Sequence, residues 1–290
     1  MSPRDAAPTE NSTPAEAASD PGRHAPAAEP GTLAGDRPPV DRCVAVIPAY
    51  NEAETVGDLI RRVRAHLPDV IVVDDGSGDD TAVEASRLEV RLVRHARNAG
   101  KGVSLIDGLR AAREAGYDAA VTLDADGQHR ARDIPRLLHA AGSQTLVLGS
   151  RIEDRGQMPP VRRFANRVAG FFISWAAGRP IGDTQCGLRV YPTDIVNALG
   201  LRARRFGFVF ESEVLIEAAR RGWQIVEVPV PAVYPDRAPR RSYYRPVVDT
   251  AAITAMVAGK LLARGLAPAA LMRVLRADGR HVTVDTDRRL

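Results

Sequence analysis

The run Val121-Thr122-Leu123-Asp124-Ala125-Asp126-Gly127-Gln128-His129 ends an apolar stretch with two carboxylates one residue apart. Alternation along a strand end would put Asp124 and Asp126 on one side, where two hard oxygen ligands can share one divalent ion with a diphosphate. Mg2+ or Mn2+ bound this way draws off charge developing on a departing nucleoside diphosphate, which is Lewis-acid catalysis. Gln128 can add a neutral oxygen, while His129 reads as a surface or capping residue. The triplet alone carries little weight, because 23 aspartates in 290 residues produce roughly two Asp-x-Asp triplets by chance and two occur. Its place at a strand end is what selects it.

Two further clusters follow apolar runs: Pro48-Ala49-Tyr50-Asn51-Glu52, and Asp74-Asp75-Gly76-Ser77-Gly78-Asp79-Asp80-Thr81. Acidic, turn-forming ends at one sheet edge make a polar pocket in which carboxylates can grip a ribose, a base or an amino group. Asp74 and Asp75, at the end of a buried strand, read as ligand-binding; Asp79 and Asp80 read as turn and cap residues. Gly76-x-Gly78 is not a dinucleotide fingerprint, since Thr81 holds the third glycine position and the acids precede the motif. Arg94 to Gly102 places Lys101 beside a glycine turn that opens a helix, which suits an anion but lacks P-loop spacing. Lys101 reads equally as a phosphate ligand or a solvated charge.

The elements that must position these residues alternate. Cys43 to Ile47, Val70 to Asp74, Val90 to Val93, Ala119 to Asp124 and Thr145 to Leu148 read as buried strands. Glu54 to His66, Thr81 to Arg87, Gly102 to Ala115 and Asp133 to Ala141 read as helices between them. Such alternation predicts right-handed crossovers and a mainly parallel, three-layer α/β/α sheet whose ligands sit beyond the carboxyl ends of the strands. Later helices are expected over Arg162 to Ala177, Glu211 to Arg221, Val247 to Arg264 and Pro268 to Leu275, with strands at Leu188 to Tyr191 and Gln224 to Val228.

Composition bounds the rest. Residues 1–41 hold eight Pro, nine Ala and no aromatic residue, so they predict a disordered Ala/Pro-rich tail. That tail has three Arg against seven acids, a net of −4, so residues 42–290 carry +8 of the overall +4. Only Lys101 and Lys260 among the 40 basic residues are lysine. Cys43 and Cys186 support neither a disulfide framework nor a zinc site, and point to a reducing compartment. No run of 18 apolar residues and no signal-peptide core is present, so a cytoplasmic chain is expected, peripheral on the cytoplasmic face of the inner membrane if it meets lipid.

The ordered motifs Pro48 to Glu52, Asp74 to Thr81, Asn98 to Gly102, Asp124 to His129, Gly149-Ser150-Arg151, Arg163 to Asn166 and Asp183 to Arg189 resemble glycosyltransferase family 2. Within it the chain is similar to the dolichyl-phosphate mannosyltransferase and glucosyltransferase group and its bacterial polyprenyl-phosphate relatives, over about residues 43–235. The resemblance implies a GT-A fold and inverting transfer of a hexose from a GDP- or UDP-linked nucleotide-sugar donor to a lipid acceptor, with polyprenyl phosphate foremost. It assigns Pro48, Tyr50, Glu52 and Asp75 to the nucleoside pocket, and Asp124, Asp126 and Gln128 to metal and diphosphate. Arg151, Arg163 and Arg189 match basic positions beside the transferred sugar and acceptor, where guanidinium forks suit phosphate oxygens. A lipid phosphate needs no general base, whereas a hydroxyl acceptor does, with Asp183 or Glu211 as candidates. The structural alternatives are a turn held by Asp183 and a helix start favoured by Glu211.

The chain departs from the group at Arg240 to Arg245, where relatives often carry Gly-Ser-Lys, and no counterpart is expected of the paired membrane helices that some bacterial relatives append. Residues 42–235 are expected as the transferase domain and 236–290 as a helical extension. On its helix Asp249 and Lys260 share a face, compatible with an anionic membrane surface or with packing on the domain. Val168 to Ala177, with Phe171, Phe172 and Trp175, is a second segment open to lipid contact or core packing. Arg-Tyr interleaving at 240–245 has no nucleic-acid module beside it, so no nucleic-acid partner is expected. The other function classes are a nucleotidyltransferase, which would want a Gly- and Arg/Lys-rich loop where Pro48-Ala49-Tyr50 stands, and a non-catalytic nucleotide-sugar-binding module.

Overall fold

The computed structural model describes residues 42–152, 160–201, 209–232 and 246–277. The tail expected over 1–41, the Arg240 to Arg245 element and the proposed domain boundary at 235 lie outside the described residues.

The chain runs β1 (Cys43–Ala49), α1 (Ala53–Arg64), β2 (Val70–Asp74), α2 (Thr81–Ser86), β3 (Arg91–Arg94), α3 (Lys101–Glu114), β4 (Ala119–Thr122), α4 (Ile134–His139) and β5 (Thr145–Ser150). It continues as α5 (Pro160–Ala177), β6 (Arg189–Pro192), α6 (Ile195–Ala198), α7 (Val209–Arg220), β7 (Gln224–Pro229), α8 (Pro246–Leu262) and α9 (Pro268–Arg276). The strands form one sheet in the order β3-β2-β1-β4-β6-β5-β7. Pairing is parallel except at β6, which runs antiparallel to both β4 and β5. The mainly parallel α/β sheet expected from the sequence is therefore present.

Local sequence explains the elements. β2, Val-Ile-Val-Val-Asp, is buried at every position, as a β-branched strand covered on both faces must be. In α1 the buried Val56, Leu59, Ile60 and Val63 fall at i, i+3, i+4 and i+7, the spacing of one apolar face. α3 lies close on the sheet because Gly108 has no side chain: a Cβ there would stand 2.4 Å from Val46 Cγ1. One core face gathers Val46, Ile71, Leu105, Leu109 and Leu215; the other gathers Ala45, Ile60, Val72, Ile134 and Leu188.

The carboxyl ends of β1 and β4 lie side by side at the switch in strand order, β2 pairing to one side of β1 and β4 to the other. That is where an open α/β sheet leaves a crevice for a ligand.

The C-terminal helices share the main core. Met256, Val257 and Leu261 of α8 belong to it, and Lys260 reaches Glu213 and Glu217 of α7 at 3.1 and 2.5 Å. Asp249 is buried on the same face of α8. The face bearing Asp249 and Lys260 is thus the packed one, because the α7 glutamates draw the ammonium inward, and it is not the lipid-facing side. Among the described residues no helix is long and apolar enough to cross a membrane.

Candidate active site

Three loops at the carboxyl edge of the sheet are stitched together by their own polar groups. The Asn51 N–H donates to Ser77 Oγ at 2.9 Å, Gly78 N–H to Asn51 Oδ1 at 2.8 Å, and Glu52 N–H to Thr81 Oγ1 at 2.7 Å. Asn51 takes the left-handed conformation, φ 53°, that its short polar side chain tolerates. Pro48, Tyr50 and Glu52 stand half-buried along this seam.

The paired aspartates at the end of β2 work inside the protein. Asp74 accepts from Ser77 N at 3.0 Å and from Arg94 Nε at 3.2 Å. Asp75 accepts from Ala99 N and Gly100 N, both at 2.8 Å, and pairs with His95 Nδ1 at 2.7 Å. Both carboxylates are nearly inaccessible. Their described bonds fix the loop that leads into α3, which is a reason for two acids at a strand end that binding arguments overlook. Asp79 caps the neighbouring turn through Thr81 N and Ala53 N, as its type suggests.

Asp124 and Asp126 are presented by a turn, not by strand alternation. β4 ends at Thr122, Gly127 turns the chain at φ 77°, and Asp126 Oδ1 accepts from Gln128 N at 2.9 Å. Asp124 Oδ1 meets Lys101 Nζ at 2.6 Å, and the same ammonium contacts Glu211 at 3.0 Å. His129 Nε2 lies 3.6 Å from Asp124 Oδ2, and the ring is buried. Burial pushes the Asp124 carboxyl up, but Lys101 and His129 outweigh it and hold the group well below the usual range. Asp126 goes the other way: burial and the neighbouring Asp124 charge raise it. Gly187 closes over this centre, its missing Cβ only 2.3 Å from Asp124 Oδ2, and its carbonyl accepts from Thr122 Oγ1 at 2.9 Å.

The loop that ends at Gly187 begins at a pocket lined by Arg151, Arg163, Asn166, Gly182, Asp183 and Gln185. Here Arg151 Nε and Nη2 fork onto the two Asp183 oxygens at 2.8 and 3.1 Å. Burial raises Asp183, but the bonded guanidinium prevails and keeps it ionised below its ordinary value. Asp124 acts electrostatically on Arg151, so the pocket and the acidic turn are one neighbourhood. Cys186, between them in sequence, has its thiol pushed up to about 12 by burial, which removes it as a nucleophile.

The structure thus gathers Arg151, Arg163, Asp183, Asp124, Asp126, Lys101 and Glu211, and corrects three expectations. Arg189 is fully buried in the sheet, donating to the carbonyls of Cys186, Thr184 and Glu211 and to the Tyr191 hydroxyl, so it shapes the loop and does not reach into the pocket. Lys101 is not a solvated charge, its ammonium being drawn between two carboxylates. Asp183 and Glu211, expected as alternative bases, are each held by a cation, Arg151 and Lys101 respectively, so neither stands unpaired.

Sequence reasoning missed His129, five residues past Asp124 and across a glycine turn that folds it back. It also missed Glu227, which accepts from Gly182 N at 2.7 Å and Asp183 N at 3.2 Å beneath the pocket. A lone acid inside the apolar strand Gln-Ile-Val-Glu-Val-Pro was the available signal.

A divalent ion suits this donor set. Two carboxylates crowded enough to raise one of them gain by sharing a cation. Among the described residues no three His, Cys, Asp or Glu side chains group as a cation cage. Asp126, Asp124 and Gln128 would supply a few oxygens, leaving positions for water and diphosphate, which is how Mg2+ is ordinarily held.

The profile of Glycosyl transferase family 2 matches residues 44–200. An undecaprenyl-phosphate mannosyltransferase of Micrococcus luteus is 34% identical over 200 residues, covering 65% of this chain and 82% of that one. A UDP-N-acetylglucosamine–dolichyl-phosphate N-acetylglucosaminyltransferase of Methanococcus voltae is 34% identical over 214 residues, covering 65% and 84%. Glucosyl-3-phosphoglycerate synthase from Mycobacterium tuberculosis, solved with Mn2+, UDP and glucosyl-3-phosphoglycerate, shares the fold with a TM-score of 0.54, 24% identity and coverage of 77% and 79%.

Proposed function

The chain belongs to glycosyl transferase family 2 and is a glycosyltransferase; from that premise we propose that it moves a hexose from a GDP- or UDP-linked donor to a polyprenyl phosphate, with inversion, at the cytoplasmic face of a membrane. The observation that carries the acceptor class is the pairing of both candidate bases, Asp183 with Arg151 and Glu211 with Lys101. A hydroxyl acceptor must lose a proton as it attacks, and both carboxylates placed to take it are already held by cations. A lipid phosphate arrives ionised, so positioning and charge stabilisation suffice. The lipid-phosphate names of the relatives in Micrococcus luteus and Methanococcus voltae support the same reading. Family membership disfavours the nucleotidyltransferase alternative.

In the proposed reaction the acceptor phosphate oxygen attacks the anomeric carbon from the face opposite the diphosphate, the glycosidic C–O bond to the diphosphate breaks, and the nucleoside diphosphate departs. Arg163 and the remaining donors of Arg151 would orient the acceptor phosphate. Tyr50 and Glu52 would line the nucleoside end of the crevice. Lys101 neutralises Asp124, which leaves Asp126 as the carboxylate with charge to offer. Mg2+ or Mn2+ held by Asp126, Asp124 and Gln128 would neutralise the leaving diphosphate.

The test is calorimetric titration with UDP and GDP, each with and without Mn2+, followed by transfer of a radiolabelled sugar into lipid extract. Asp126→Ala is expected to abolish transfer and the Mn2+-dependent part of nucleotide affinity. Because the Asp126 carboxyl is raised, the Mn2+ effect in the native chain should fade on acidification before ordinary carboxylates titrate. Turnover unchanged in Asp126→Ala would refute the assigned role.

A further inference from the structure

Among the described residues, seven of the nine large hydrophobic side chains left exposed fall on α5, the last residue of α8, the α8–α9 turn and α9. On α5, Phe164 (69% exposed), Val168 and Phe172 stand at i, i+4 and i+8, one stripe about 12 Å long. Phe172 stacks on Trp175 with centroids 6.1 Å apart, and the Trp175 indole N–H donates to Leu266 O at 2.9 Å. Leu262 (68% exposed), Leu266 and, on α9, Leu275 extend the same surface. Arg264 Nη1 ties the turn to Ala176 O at 3.0 Å, so the stripe and the turn are one face.

The charged residues of these segments have a single sign. Residues 163–180 contain Arg163, Arg167 and Arg179 and no acid; residues 261–277 contain Arg264, Arg273 and Arg276 and no acid. Burial together with the like charges of Arg220 and Arg273 lowers Arg264, with Glu217 opposing, as expected where guanidiniums crowd. A second copy of the chain meeting this patch by twofold symmetry would set arginine against arginine. An anionic bilayer would instead take the aromatic and aliphatic side chains into its headgroup–acyl boundary and pair the guanidiniums with lipid phosphates.

We propose that the Phe164–Phe172 stripe of α5 and the Leu262–Leu275 segment form a docking face for an anionic bilayer, and that α5 conducts the acceptor's phosphate from the headgroup layer to the pocket. The second half rests on the lipid-acceptor reading above, since Arg163 and Asn166 of the same helix line that pocket; the first half does not.

The experiment sediments the full chain with vesicles of phosphatidylcholine, with and without about a third phosphatidylglycerol. The native chain should bind the mixed vesicles and release at high salt. Phe164→Asp/Phe172→Asp should lower that partition about tenfold or more, with melting temperature unchanged as the fold control. Arg273→Gln/Arg276→Gln should lose the preference for phosphatidylglycerol. The proposal is overturned if the native chain stays in solution, if the Asp double variant binds as well as the native chain, or if the patch mutations dissociate a dimer while vesicles are ignored. A short-chain, water-soluble prenyl phosphate, offered without vesicles, separates the two readings. Transfer to it should survive in the Asp double variant; vesicle binding by a native chain that glycosylates no prenyl phosphate defeats the acceptor reading and leaves the docking face standing.

Discussion

Lys101 decides what the two acids around it can do. With its ammonium 2.6 Å from Asp124 and 3.0 Å from Glu211, it is the counter-charge that the two acids share in a half-closed crevice. Lys101→Met removes it and leaves two crowded carboxylates, at a cost of about 3–5 kcal/mol in chemical denaturation at neutral pH. The pH dependence has a definite sign. Asp124 in the native fold lies below its free value of 3.8, so its stabilising contribution is complete above that pH and is lost as acid protonates it. In Lys101→Met the same carboxyl rises instead, so mild acidification from pH 7 to 5 should stabilise the variant while leaving the native chain nearly unchanged. A urea midpoint that moves in parallel for both proteins would contradict this account. None of it was legible in the sequence, where Lys101 has no charged neighbour closer than Arg97 and both partners lie beyond the helix it begins.

At the scale of elements, periodicity was a good guide, because strands buried on both faces and helices with one apolar face write their burial directly into residue type. The expected boundaries agree with the observed ones within two residues. The exceptions are instructive. α6 is a single turn, too short to show a period, and the reversed direction of β6 depends on loop 178–188, not on the strand's own residues. The shortened β4 mattered most, since the aspartates then leave the pleat and are aimed by a glycine turn. Gly187 permits that aim by sitting where any side chain would collide with Asp124. Gly187→Ala should displace the carboxylate from Lys101 and weaken nucleotide binding by about tenfold or more, while costing roughly 1–3 kcal/mol in thermal unfolding as an overpacked site. Calorimetry and melting together check it, and undiminished affinity would show that the turn has slack.

Across the whole molecule, the site was legible as a set of motifs but not as a set of roles. The acids and arginines recognised by type do converge beyond the strand ends, yet Arg189 went inward because β6 carries it into the middle of the sheet, where its planar fork ties four backbone and hydroxyl oxygens. A chain with 38 arginines and two lysines has little need of lysine for surface charge. Both lysines are instead clasped between pairs of acids, Lys101 by Asp124 and Glu211, Lys260 by Glu213 and Glu217. Amine-directed reagents therefore find no lysine at rest on the folded surface. Brief treatment with an acylating ester should spare both side chains in the native state and modify both after denaturation, as read by peptide mass mapping. Modification at position 101 alone would then serve as a clock for how often the mouth of the crevice unlatches.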